Sequence, residues 1–164
     1  MTQASTIEAR LASIERRLGV AEDRLAIYDL IARYGPAVDS RRAAATGALW
    51  TDDGTYDFGA TPLSGSADIG ALVDREPHVS YVESGCAHVM SLPVVVVDGD
   101  HARATGYSRV YVHDEGRWIV LRASANHWSF VRSDKGWRVQ SRVNRLLDGN
   151  RAGRDILSLA DDEE

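Results

Sequence analysis

The chain has one cysteine, no long apolar run and no excess of basic residues, and each lack closes off a class of protein. A lone Cys86 excludes an internal disulfide framework and fits a reducing cytoplasm. No run approaches the roughly 20 apolar residues of a membrane-spanning helix, so no membrane partner is expected. The opening MTQASTIEAR also has no apolar core of the signal-peptide kind. Lys and Arg number 19 against 24 Asp and Glu, and the formal charge of −5 argues against a nucleic-acid surface. A glycine-rich phosphate loop, a GxSxG elbow and the HxH or HExxH spacings of metal sites are also missing. Neither a cofactor nor a metal is therefore expected.

What is present is an ordinary globular composition, 44% apolar and 26% charged, over 164 residues. That length suits one domain able to close a core around a small cavity. Ile7, Leu11, Ile14, Leu18, Ala21, Leu25 and Tyr28 recur at alternating spacings of four and three, a heptad-like stripe. Gly19 interrupts it, which predicts a helical arm over 1–21, a break, and a second helix from about Glu22. In that helix Ile27, Leu30, Ile31, Tyr34 and Val38 share a face, with Gly35 and Pro36 near its end.

After residue 50 the pattern changes. GTYDF reads as a short strand, and Ser66 is placed to cap a helix over ADIGALVDRE. Four strand-like segments follow, 86–97, 101–113, 117–131 and 136–146. The turns DGD, DEG and SDKG separate them, which predicts an antiparallel meander. Pro93 and Gly106 inside strands suggest bulges or sharp bends. Residues 151–164, ending in ADDEE, read as an acidic flexible tail. The fold class is α+β, a cone-shaped curved antiparallel sheet wrapping N-terminal helices, with the cone domain over 22–150. Such a cone is a natural small-molecule pocket.

The chemistry turns on GCAHVMSLPVVVV, residues 85–97. Strict alternation puts His88, Met90, Leu92, Val94 and Val96 on one face and Val89, Val95 and Val97 on the other. An imidazole heading an apolar row is either a satisfied core histidine or a base in a dry pocket. Asp39 favours the second, because a helix C-terminus is a poor place for a carboxylate that has no partner. Paired with His88 it would fix the tautomer and stabilise the imidazolium. Tyr34 and Tyr56 are the phenols best placed to bind a substrate oxygen. Asn126 alternates with Ser124, Trp128 and Phe130 on one strand face, a position for an aimed amide. Arg142 and Arg145 lie on the last strand, and one of them could reach an anionic group. Cys86 has no visible activating partner beyond His88, and His78 and His101 fall in loops or turns.

ARYGPAVDSRR, TDDGTYDFG, GCAHVMSLPVVVVDGDHARATGYS and SANHWSFVRSDKGWRVQSR, in that order, resemble the SnoaL-like branch of the nuclear transport factor 2-like superfamily. The likeness runs over about 22–147, and its enzymes include scytalone dehydratase and bile acid 7α-dehydratase. It implies that His88 is a base and Asp39 its orienter, with Tyr34, Tyr56, Asn126 and Arg145 binding substrate. The sequence departs from the scytalone enzyme at Val38, and His113 and Arg145 match only with a one-residue shift. The resemblance also implies a homo-oligomer, with a trimer favoured over a dimer, formed through the sheet's outer face.

The resulting expectation is a cofactor-independent lyase of dehydratase type, acting on a small, largely apolar aromatic or alicyclic substrate. A cyclase, isomerase or epoxide hydrolase with the same pair is the nearest rival. A non-catalytic ligand-binding or assembly module is the other.

Overall fold

The computed structural model describes residues 3–161, with side chains from residue 6. It opens with one helix, α1 (Gln3–Asp39), which runs without a break through Gly19 and on through Pro36. The expected interruption at Gly19 does not occur. A single interior glycine costs only about 1 kcal/mol, and the Glu, Arg and Leu residues around it favour the helix. Ile27, Leu30, Ile31, Tyr34 and Val38 do form its buried face. Each such large apolar side chain taken from water is worth about 1.5–3 kcal/mol.

The chain continues through α2 (Ala43–Gly47), β1 (Trp50–Asp57), β2 (Leu63–Ser64) and α3 (Ser66–Gly70). A single 3-10 turn (Ala71–Asp74) follows, then α4 (His78–Ser84). Gly65, not Ser66, occupies the cap position of α3, and no side chain caps it. The rest of the sheet is β3 (Cys86–Met90), β4 (Val94–Asp98), β5 (His101–Asp114), β6 (Arg117–Ser133) and β7 (Gly136–Leu146).

The strand order is β2-β1-β7-β6-β5-β3, with β4 also pairing β5. The meander is antiparallel as expected, while β1 joins β7 in parallel. The long curved sheet wraps the C-terminal half of α1. Tyr34, Val38, Trp50, Trp128, Phe130 and Val139 meet in one core between them.

Two irregularities reset which side chains face inward. The segment 86–97 is split into β3 and β4 by Ser91, Leu92 and Pro93. Past the split the phase is reversed: Val95 is buried in the core, while Leu92 and Val94 are exposed. The inward row expected from His88 to Val96 therefore ends at Met90. Val95 cannot serve an outer-face interface with Val89, and Val97 packs against the core. On β7 the register against β6 jumps between Val139 and Ser141, so Gln140 is an extra, unpaired residue. Trp137 and Val139 face in before it, Arg142 and Asn144 after it.

Residues 151–164, expected as a flexible tail, instead carry α5 (Arg151–Ser158), which packs on β6 and β7. The last part of the acidic run, 162–164, lies outside the described residues. Among the described residues no helix is long and apolar enough to cross a membrane.

Gly35 has a direct role in placing the site. A Cβ there would overlap the carbonyl oxygen of His88. Only the bare backbone lets α1 lie this close to β3, and Asp39 follows one turn later.

Candidate active site

Asp39 ends α1 and His88 is the middle residue of β3. His88 Nδ1 donates to Asp39 Oδ1 at 2.6 Å, and the His88 backbone N–H donates to Oδ2 at 2.7 Å. Both carboxylate oxygens are therefore committed to one residue. With Nδ1 holding the proton, Nε2 carries the lone pair, and His88 lines the cavity. The Cys86 thiol, two residues earlier on the same strand face, donates to Oδ1 at 3.3 Å. Burial raises the Asp39 carboxyl, but the His88 ring and backbone donors outweigh it and hold it below the ordinary carboxylate range. Burial and the adjacent Asp39 push the Cys86 thiol up to about 12, so it is no nucleophile in this state.

The sequence placed His78 in a loop, but it begins α4 and stacks on His88, ring centroids 5.4 Å apart at 26°. Its ring lies beside the Val73 backbone, but neither ring nitrogen makes a hydrogen bond of good geometry. Burial, and then the neighbouring His88, lower its pKa, which keeps it neutral. The only signal in the sequence was its three-residue spacing from Tyr81, which puts both on one helical face over the cavity.

The cavity holds about 420 Å³ and is lined mainly by apolar side chains, among them Val38, Phe58, Ile69, Leu72, Val73 and Val110. Tyr34, Thr46, Tyr56, His78, Tyr81, His88 and Arg122 supply its polar points. A larger groove of about 620 Å³ lies outside, near α2, α3 and the β6–β7 turn, and holds no paired acid and base.

Asn126 and Arg145 correct the expectation. Asn126 is fully buried beneath the cavity and does not line it. Its Oδ1 accepts from Arg142 Nε and Nη2 at 3.0 and 2.7 Å and from Asn144 Nδ2 at 2.8 Å. Its Nδ2 donates to Ser108 Oγ at 2.9 Å. An amide so fully engaged has nothing left for a ligand. Arg145, turned outward by the extra residue at Gln140, forms a two-pronged pair with Asp57 at 2.8 and 2.6 Å.

Arg142 is the residue the sequence undervalued. It is 2% exposed and, among the described residues, forms no ion pair with a carboxylate. Its guanidinium instead sits 4.2 Å from the Trp128 ring centroid, 4.5 Å from Tyr34 and 4.8 Å from Tyr56. Its Nη1 has no hydrogen-bond partner. Burial and the neighbouring Tyr56 push the Tyr34 phenol above its ordinary range, with Arg142 pulling part of the way back. Tyr34 thus remains a protonated donor.

Donor atoms of Asp39, His78, Cys86 and His88 lie within 4.8 Å of one another, a set of ligand types that zinc accepts. The fit is poor as built. The 2.6 Å contact between Asp39 and His88 leaves no room for an ion between them. His113 packs on Trp118, and His127 pairs with Thr105 Oγ1 at 3.0 Å, both away from the cavity.

The SnoaL-like domain family model matches residues 19–143. The chain belongs to the SnoaL-like domain family. An NTF2-like protein with a cystatin-like fold from Novosphingobium aromaticivorans is 42% identical, with a TM-score of 0.87. The match covers 90% of this chain and 96% of that one. An uncharacterized protein of Mycobacterium tuberculosis is 28% identical over 137 residues, 77% of this chain and 88% of its own length. ActVI-ORFA from Streptomyces coelicolor shares the fold, with a TM-score of 0.66 at 20% identity over 77% of this chain and 98% of its own. Together these make the chain a SnoaL-like member of the NTF2-like α+β fold.

Proposed function

We propose that this SnoaL-like protein is a cofactor-independent carbon–oxygen lyase, eliminating water from a small, largely apolar cyclic β-hydroxy ketone. The observation that carries the reading is the Asp39–His88 pair at 2.6 Å on the wall of an apolar cavity of about 420 Å³. His88 Nε2 takes the proton from the carbon next to the carbonyl. The electron pair of that C–H bond becomes the new double bond as the C–O bond to the hydroxyl breaks. The departing hydroxide leaves with the proton returned by His88, so water is the only by-product.

Charge that builds on the carbonyl oxygen meets the phenols of Tyr34 and Tyr56. Behind them the Arg142 cation, without a carboxylate partner, adds a positive potential in a region closed to water. Asp39 holds His88 in the tautomer that exposes a base and balances the imidazolium during the step. His78 stacks on His88 as a neutral ring, which limits repulsion when His88 is charged.

The test is a panel of cyclic β-hydroxy ketones incubated with the protein, with loss of one water read by mass spectrometry. Saturable elimination, abolished in His88→Ala, is the expected result. A protein that binds members of the panel by calorimetry but eliminates from none would sink the lyase reading and leave a binding module.

A further inference from the structure

We propose that residues 7–25 of α1 form a parallel three-stranded coiled coil with two further copies of this chain. The inference is independent of the lyase reading, since it rests on the arm and not on the cavity.

The arm is helical throughout, so its seven-residue pattern is continuous across Gly19. Ile7, Leu11, Ile14, Leu18 and Leu25 fall on one stripe, each between 53% and 65% exposed. Apolar residues at core spacing and this open to water mark a surface that another chain covers. The body of the protein lies on the other side of the helix. It holds Asp23 through Arg132 at 2.7 Å and Trp137 at 3.0 Å, and Ile27 is fully buried against it. By helical rotation the stripe points away from both, so none of the described residues of the same chain closes it.

The flanking charges select the occupant. With Leu11, Leu18 and Leu25 at position a and Ile7, Ile14 and the small Ala21 at d, position e is Glu8, Glu15 and Glu22. Position g is Arg10, Arg17 and Arg24. Among the described residues none of these six makes an ion pair within the chain. In a parallel bundle each g residue faces the e residue of the following heptad on the next helix. Arg10 then meets Glu15 of the neighbouring copy, and Arg17 meets Glu22. An antiparallel pair would set Arg against Arg and Glu against Glu. The complement of this stripe is the same stripe in the same direction.

The core residues select the number. Leu at a with Ile at d disfavours two strands and shifts the preference to three or four. A fourth helix would turn the e and g positions further inward and bury their charges. Three copies satisfy both constraints, and cyclic symmetry closes the assembly.

The test is sedimentation equilibrium of the full chain at micromolar concentration, with a mass three times 18.0 kDa expected. Leu11→Glu with Leu18→Glu should return the mass to a single chain, while tryptophan near-ultraviolet circular dichroism shows an intact body. Arg10→Glu with Arg17→Glu should also dissociate the protein. Adding Glu15→Arg and Glu22→Arg to that chain should restore the trimer. A wild-type monomer or dimer would overturn the proposal. So would a trimer untouched by the leucine changes, since its interface would then lie on the sheet. A charge exchange that restores nothing would overturn the parallel register.

Discussion

On the wall of the cone, His88 and His78 keep ring nitrogens without a hydrogen bond of good geometry. Beneath its floor, Asn126, Asn144 and Ser108 hydrogen-bond one another, with Arg142 donating into Asn126 and Arg122 into Asn144. The wall groups come from three separate elements, α1, α4 and β3, whereas the floor groups sit on three neighbouring strands. Buried polar groups ordinarily satisfy one another, and the amides and Ser108 of the floor obey that rule, while Ser124 Oγ and Arg142 Nη1 beside them stay unpaired. The wall breaks it where a ligand would supply the missing partner. Arg142 joins the two: its Nε and Nη2 belong to the floor network, while its charge lies under the phenols that line the cavity.

If the wall is reactive and the floor structural, His88→Ala should give the largest effect on rate. A general base contributes a factor of about 10²–10⁴, so elimination should fall by that much while near-ultraviolet circular dichroism shows an intact fold. Asp39→Asn should cost less, because the imidazole can still accept a proton beside a weaker orienter. A His88→Ala protein within a few-fold of wild type would falsify the assignment of wall and floor.

Arg142→Met sharpens the comparison, because this residue belongs to both sides. The substitution removes a buried cation that no carboxylate neutralises, and nearly conserves the volume. An unneutralised charge is costly to bury, and relief of that cost offsets the two hydrogen bonds to Asn126 lost with it. The melting temperature should therefore hold or rise, while elimination falls by roughly tenfold as the oxyanion loses its positive backing. A clear drop in melting temperature with activity intact would make Arg142 purely structural.

Gly35→Ala tests how the wall is assembled. The new methyl meets the backbone of β3 and must push helix and strand apart, at a cost of about 1–3 kcal/mol. Urea unfolding should report that loss, and the widened Asp39–His88 contact should lower kcat more than it raises KM. Unchanged stability would mean that α1 and β3 can separate freely.

Much of this architecture was legible in the sequence because period-2 and period-3.6 patterns survive in long elements. The buried face of α1 and the inward row of Ser124, Asn126, Trp128 and Phe130 both follow from simple rotation. The misses sit where one residue changes the phase. The bend at Pro93 is expected from the sequence but its reversal of the phase of β4 is not, and the extra Gln140 sends Arg142 in and Arg145 out. No count along the chain reveals either. Asn126 was read correctly as inward but wrongly as available, since its partners Ser108, Arg142 and Asn144 come from other strands. His78 was missed because a short helix takes its position from tertiary packing. The bond between Asp39 and His88, 49 residues apart, depends on Gly35 letting two backbones touch.

The smallest effect should come from Arg145→Ala, three residues from Arg142 on the same strand. Arg145 and Asp57 are each about a third exposed, and pairs at the surface are worth only about 0–1 kcal/mol. The Arg145 guanidinium, followed by the Gly59 backbone donor, holds the Asp57 carboxyl below its ordinary range. A depressed carboxylate adds stability above the ordinary value, near pH 4, and loses it as pH falls through the folded-state value. Wild type and Arg145→Ala should therefore differ slightly in urea midpoint at pH 7 and converge in acid, with elimination the same in both. A large loss of rate in Arg145→Ala would place this arginine in the cavity after all, and would mean that the phase change at Gln140 does not hold in solution.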